Sequence, residues 1–157
     1  MSDRFLETDS GCVPFPAYVP VTTFGEKYPL DGLIQPYLPQ IASAVMVSYH
    51  YARQMESKPR LPTMIDSGGF AAIFEGSEVR QDDGLGILTV KLGDAPEELN
   101  PWDVLDFQEC CADIAFTLDF PISPGLEPKE SGLRHELTIA NALWAAENRR
   151  RPNMCLY

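Results

Sequence analysis

The chain has 157 residues, with 12 Lys and Arg against 23 Asp and Glu, a formal net charge of −11. That is the size of one domain able to bury a substantial core, and 45% hydrophobic with 22% charged residues is ordinary globular usage, which excludes wholesale disorder. The acidic balance excludes nucleic-acid binding by bulk charge and leaves it only to local basic patches. No run nears the ~18 apolar residues of a membrane span, and Met1-Ser2-Asp3-Arg4 opens no basic-then-apolar signal peptide, so a cytoplasmic location is expected.

Prolines punctuate the first forty residues (Pro14, Pro16, Pro20, Pro29, Pro36, Pro39), so no long helix fits there. Residues 18–23 read as a short strand with Pro20 inside it, and 30–40 as one or two helical turns broken at Pro36. The apolar run 41–49 suits a strand buried on both faces, as in a parallel sheet. A short helix over 51–57 is expected to end before Pro59, and a second short strand over 61–65 is broken by Asp66-Ser67-Gly68-Gly69. Residues 71–74 open a helix, 81–84 form a turn, and 87–92 make a strand of a small excursion.

Asn100 then supplies an N-cap, Pro101 the first helical position and Asp103 a box-like start, with Val104, Phe107 and Cys111 at helical spacing. Residues 114–118 are a strand and 120–128 a Pro/Gly loop. From Ser131 a longer helix carries Leu133, Leu137, Ala140 and Trp144 on one stripe, with Arg149, Arg150 and Arg151 at its negative dipole end. Pro152 stops it, and 154–157 begin another apolar run. The alternation implies a single α/β domain over 1–157 with a parallel sheet.

Cys12, Cys110, Cys111 and Cys155 form no C-x-x-C pair, and His50 and His135 lie far apart, so no metal site is expected within the chain. Cys110 and Cys111 would point different ways on a helix and read as small core-facing residues of a reducing compartment. His50 reads as a structural histidine, Trp144 as core, Asp103 and Gln108 as capping and surface-bonding residues, and Arg134 as a surface ion pair.

Ligands of parallel α/β folds bind at the carboxyl ends of strands. Two acids fall there: Asp66 after 61–65 and Asp119 after 114–118. Neighbouring strands lie about 4.8 Å apart, so adjacency of these two would point both carboxylates at one pocket. Such a pair splits its proton affinities: the ionised member accepts N–H bonds from a purine edge, and the protonatable one serves as general acid or base. Ser67-Gly68-Gly69 adds unusual backbone angles and close approach of a ligand to main-chain N–H groups.

Met64-Ile65-Asp66-Ser67-Gly68-Gly69-Phe70 resembles the D-S-G-G-F/Y signature of the tRNA-guanine transglycosylases. Ala17 to Thr23 (AYVPVTT) is similar to that family's opening P-V-x-x-P-V-x-T strand, Ser48-Tyr49-His50 to its T-Y-H segment, and Asn100-Pro101-Trp102-Asp103 to its T-P-E-D helix start, with Gln108 where that helix carries Gln. Ala112 to Asp119 (ADIAFTLD) follows its S-D-I-x-M-x-F-D strand, and Leu143-Trp144-Ala145 falls at its R-W-A. The likeness is collinear from about Pro16 to Tyr157. It implies a (β/α)₈ TIM barrel, of which this chain resembles the N-terminal half, and exchange of guanine for a 7-deazaguanine in a polynucleotide. By the same resemblance Asp66 is the catalytic carboxylate beside the departing base, Asp119 reads the base's Watson–Crick edge, and Ser67, Gly68, Gly69 and Phe70 shape the substrate pocket.

Ala71 stands where the signature continues with Gln, and Phe120-Pro121 stand where the family has Glu-Cys. The family's V-Q-G-G loop, nucleophilic aspartate and zinc ligands would lie beyond residue 157, so no cofactor is expected in this chain. Half a barrel exposes strand edges and interior apolar residues, so a complementary C-terminal half or a homo-oligomer is expected, with tRNA engaged through the completed barrel. DNA is the alternative polymer, and a non-catalytic split or remnant half is the alternative role.

Overall fold

A computed structural model describes residues 4–23, 29–91 and 95–157; Met1, Ser2 and Asp3, and Leu92 of the expected strand 87–92, lie outside them. The elements are β1 (Arg4–Thr8), β2 (Gly11–Phe15), α1 (Pro29–Ile34), a 3₁₀ turn (Gln35–Tyr37), α2 (Leu38–Ile41), β3 (Val45–Ser48), α3 (Tyr49–Ala52), β4 (Thr63–Asp66), a second 3₁₀ turn (Gly69–Ile73), β5 (Glu78–Asp82), β6 (Leu85–Val90), β7 (Glu97–Leu99), α4 (Pro101–Cys111), β8 (Ile114–Ala115), α5 (Pro128–Asn148) and β9 (Cys155–Leu156). None of the described helices is long and apolar enough to cross a membrane. The chain divides into two compact units: the described part of Met1–Asp66 with Phe107–Phe116 and Arg151–Tyr157, and the described part of Ser67–Asp106 with Thr117–Arg150.

The first unit holds a four-stranded parallel sheet in the order β3-β4-β8-β9, which makes the fold α/β as expected. Val47 pairs with Ile65, and Ile65 with Ala115. Burial alternates along β3 and β4: Val45, Val47, Thr63 and Ile65 are buried, whereas Met46, Ser48, Met64 and Asp66 are half-buried. One face of these strands is therefore sealed and the other partly open, which corrects the reading of 41–49 as buried on both faces; Ile41 itself ends α2. Residues 18–23 form no strand. A single parallel bridge joins Val21 to Met46, with Met46 N–H donating to Pro20 O at 2.9 Å and Thr22 N–H to Met46 O at 3.0 Å. Pro20 has a carbonyl but no N–H to offer, so the ladder stops after one step. The β1–β2 hairpin was hidden by Pro14 and Pro16; a two-stranded ribbon tolerates Pro14 because its missing N–H faces no partner strand.

Two buried polar side chains organise this unit. Gln108 is 1% exposed, and its Nε2 donates to Ile65 O at 3.0 Å and Phe116 O at 2.9 Å. It satisfies the carbonyls where β4 and β8 end their ladder, a buried duty rather than the expected surface bond. Asp113 accepts Thr63 N–H at 2.9 Å and an ion pair from Lys58 at 3.0 Å. The basic triplet also departs from expectation, because α5 ends at Asn148 before reaching it. Arg151 instead donates to the carbonyls of Glu109 and Ala112 (3.2 and 2.6 Å), completing the C-terminus of α4, and to the Asp9 carboxylate at 2.6 Å. That bond holds the Asp9 carboxyl below its usual range.

Cys110 is exposed and Cys111 half-buried, so the pair is not core as expected; their i, i+1 spacing turns one of them outward. Burial, aided by the neighbouring Cys110, pushes the Cys111 thiol up from 9.0 to about 11. A raised folded value favours the fold below pH 9 and loses that contribution as pH rises through about 11. Resistance to urea is expected to fall across that window, and Cys111→Ala to flatten the fall. An unaltered slope in the variant would refute burial of the thiol as its source.

The second unit holds the antiparallel sheet β5-β6-β7, a fuller structure than the single strand expected. Asp83 (φ 46°) and Gly84 (φ 83°) form its two-residue turn, a hairpin geometry that Asp-Gly favours. The start of α4 is as read: Asn100 Oδ1 accepts Asp103 N–H and Asn100 Nδ2 donates to Asp103 Oδ2, both at 2.8 Å. Helix α5 begins at Pro128, three residues before the expected Ser131, because proline suits the first helical position. Its buried face is Arg134, Leu137, Asn141 and Ala145, whereas Leu133, Ala140 and Trp144 are only half-buried. The stripe was misread because two of its buried members are polar. Phe120 is buried beside Gly86 of β6, where an added Cβ would stand 2.3 Å from the ring.

Candidate functional site

Asp66 is the last residue of β4, in register with Ser48 of β3 on the half-buried face. It belongs to the first unit, and one peptide bond later Ser67 begins the second. There the strand gives way to a 3₁₀ turn. Gly68 caps that turn at φ 83° and ψ 0°, a left-handed conformation that a side chain resists. The two glycines then have different duties. Gly69 has no left-handed torsion; it permits contact, because an added Cβ would lie 1.9 Å from the Asp119 carbonyl oxygen and 3.2 Å from Asp119 Oδ1.

Ser67 ties the same two segments together. Its hydroxyl donates to Asp119 Oδ1 at 3.1 Å and accepts the Gly69 N–H at 3.2 Å. Ser67, Gly68 and Gly69 are buried, while Asp119 and Phe70 are exposed, Phe70 at 61%. A carboxylate has about four lone-pair positions, so Asp119 retains acceptor capacity beyond the Ser67 bond. The Phe70 ring meets Phe74 edge to face at 6.1 Å, giving an exposed flat apolar surface next to the glycines in the chain. This arrangement can present a carboxylate acceptor and an aromatic face to a flat, donor-bearing ring.

Of the residues expected at the site, Ser67, Gly69 and Asp119 meet directly, and Gly68 sets the turn that allows it. Arg134, expected on the surface, is 6% exposed and part of the support. Its Nη1 donates to Ala72 O (3.2 Å) in the 3₁₀ turn and to Pro121 O (3.0 Å), and its Nε pairs with Glu130 at 2.8 Å. Sequence reading missed Thr138, whose Oγ1 accepts Phe120 N–H at 2.9 Å, and Asn141, whose Nδ2 donates to Leu118 O at 3.0 Å. Their signal is polar spacing i, i+4, i+7 on a helix face shared with Leu137. In the first unit, His50 sits in α3 with a ring nitrogen 3.4 Å from Gln54 Nε2. Among the described residues no group of three or more His, Cys, Asp or Glu converges as a metal site.

Comparison of the sequence with protein-family models finds no match, and comparison with curated proteins finds none.

Proposed function

We propose that this chain is the base-binding half of a tRNA-guanine transglycosylase-like ribosyltransferase, folded as part of a (β/α)₈ barrel and completed by a complementary half. The observation that carries the reading is the Ser67–Asp119 bond with Gly69 packed on the Asp119 carbonyl: the signature loop and the proposed base-reading acid form one unit. In this reading Asp119 accepts the N–H pair of a guanine or 7-deazaguanine edge, Phe70 offers its ring to the base plane, and Gly68 and Gly69 let the base approach the main chain. The proton transfer at the departing base falls to Asp66 on the resemblance alone. Displacement at the sugar needs a nucleophile, and the resemblance assigns none to residues 1–157.

The isolated chain is therefore expected to hold a base without exchanging it. Labelled guanine should be retained saturably in equilibrium dialysis yet not enter tRNA or DNA. Asp119→Asn, which turns an acceptor towards N–H donors as a competing donor, should weaken retention by roughly 10–100-fold. Incorporation by the isolated chain, or equal retention by the variant, would overturn the proposal.

A further inference from the structure

We infer that α5 is the positioning element of the site: Arg134, Thr138 and Asn141 set where the Asp119 carboxylate stands by holding the backbone on both sides of it. This rests on the proposed role of Asp119. The inference comes from where the bonds fall. Asn141 takes the carbonyl of Leu118, one residue before Asp119; Thr138 takes the N–H of Phe120, one residue after; Arg134 takes the carbonyl of Pro121, two after. Three successive inward polar positions of one helix thus grip a four-residue stretch that belongs to no helix or strand.

The grip extends to the other half of the site. Arg134 also binds Ala72 O in the turn that follows Gly69, so one guanidinium spans the signature loop and the Asp119 loop. Asn141 anchors the far side by taking Gly86 N–H at 2.8 Å and Gly86 O at 3.1 Å, which fixes the helix to β6. The stretch 118–121 carries Pro121 and cannot complete a ladder of its own, so its buried polar groups need these side chains. A planar fork suits Arg134 to two carbonyls at once in a way that the single ammonium of lysine does not.

Thr138 gives the cleanest test, since Thr138→Val keeps the shape and removes only the acceptor, and Thr138→Ser restores it. With every variant checked as folded by its thermal transition, Thr138→Val is expected to weaken guanine retention ~10-fold and Thr138→Ser to bind as the parent does. Amide exchange at Asp119 and Phe120 should quicken in Thr138→Val and in Arg134→Lys, while the amides of β6 keep their protection. Parent-like exchange at both amides in both variants would overturn the inference. Should the parent chain retain no guanine, the proposed function fails, and the exchange measurement alone decides whether α5 holds this loop; quickened exchange with unchanged affinity would leave α5 a structural support and refute its positioning role.

Discussion

Gly69→Ala is expected to abolish base retention while leaving the chain folded. The added Cβ would sit 1.9 Å from the Asp119 carbonyl oxygen, whereas real Cβ contacts essentially never fall under 3.0 Å. The opposing atom is backbone, with no flexible side-chain tip to swing aside, so the turn and the Asp119 loop must part by about 1 Å or more. Arg134 and Asn141 hold the Asp119 loop and Arg134 also holds the turn at Ala72 O, so neither side yields freely, and the Ser67–Asp119 bond at 3.1 Å is the first contact to break. Overpacking of this kind costs about 1–3 kcal/mol of stability. Misplacement of the acceptor should cost the site more, on the order of 100-fold in affinity. Urea unfolding and equilibrium dialysis on the same preparation separate the two effects. Parent-like guanine retention by Gly69→Ala would show that Asp119 and the signature loop do not act together.

Asn141→Ala is expected to cause the largest loss of stability of any single change discussed. Asn141 is 0% exposed and serves three main-chain groups: Gly86 N–H, Gly86 O and Leu118 O. Alanine leaves all three buried without a partner and opens a small void. Each orphaned group costs about 1–3 kcal/mol, so a total of about 3–5 kcal/mol is expected after partial relaxation. That is a large share of the roughly 5–15 kcal/mol that holds a domain folded. Asn141→Asp should be no rescue, because it keeps an acceptor for Gly86 N–H but turns an oxygen and a charge towards two carbonyls. The urea midpoint measures the loss; a change under about 1 kcal/mol would mean that water replaces the amide.

The elements legible in the sequence were those whose reasons are local. The Asn100–Asp103 cap was read from residue types at the right offsets, and β4 from a short apolar run ended by Asp66-Ser67-Gly68-Gly69, whereas β3 keeps only 45–48 of the run 41–49 and β8 only 114–115 of 114–118. Of the antiparallel sheet only β6 and the Asp83-Gly84 turn were legible, because β5 and β7 are short and charged. The buried face of α5 was missed because hydrophobic periodicity discards Arg134 and Asn141 as surface, although main-chain carbonyls elsewhere in the fold were waiting for donors. Gln108 was misplaced for the same reason, since its partners Ile65 O and Phe116 O lie 43 and 8 residues away. At the site, residue types were readable and their division of labour was not. Nothing in Gly68-Gly69 says that the first is needed for its torsion and the second for the approach of Asp119. Phe120 has a packing duty that the sequence does not announce: its ring occupies the space that Gly86 leaves.

On the proposed reading, Asp119 and the Ser67–Phe70 loop together hold a nucleobase. Titration of the isotope-labelled chain with a 7-deazaguanine base, followed by amide NMR, tests that binding residue by residue. Saturable shifts concentrated on 67–72 and 118–120, lost in Asp119→Asn, are expected; an unchanged spectrum, or shifts that leave both segments untouched, would contradict a base site at Asp119.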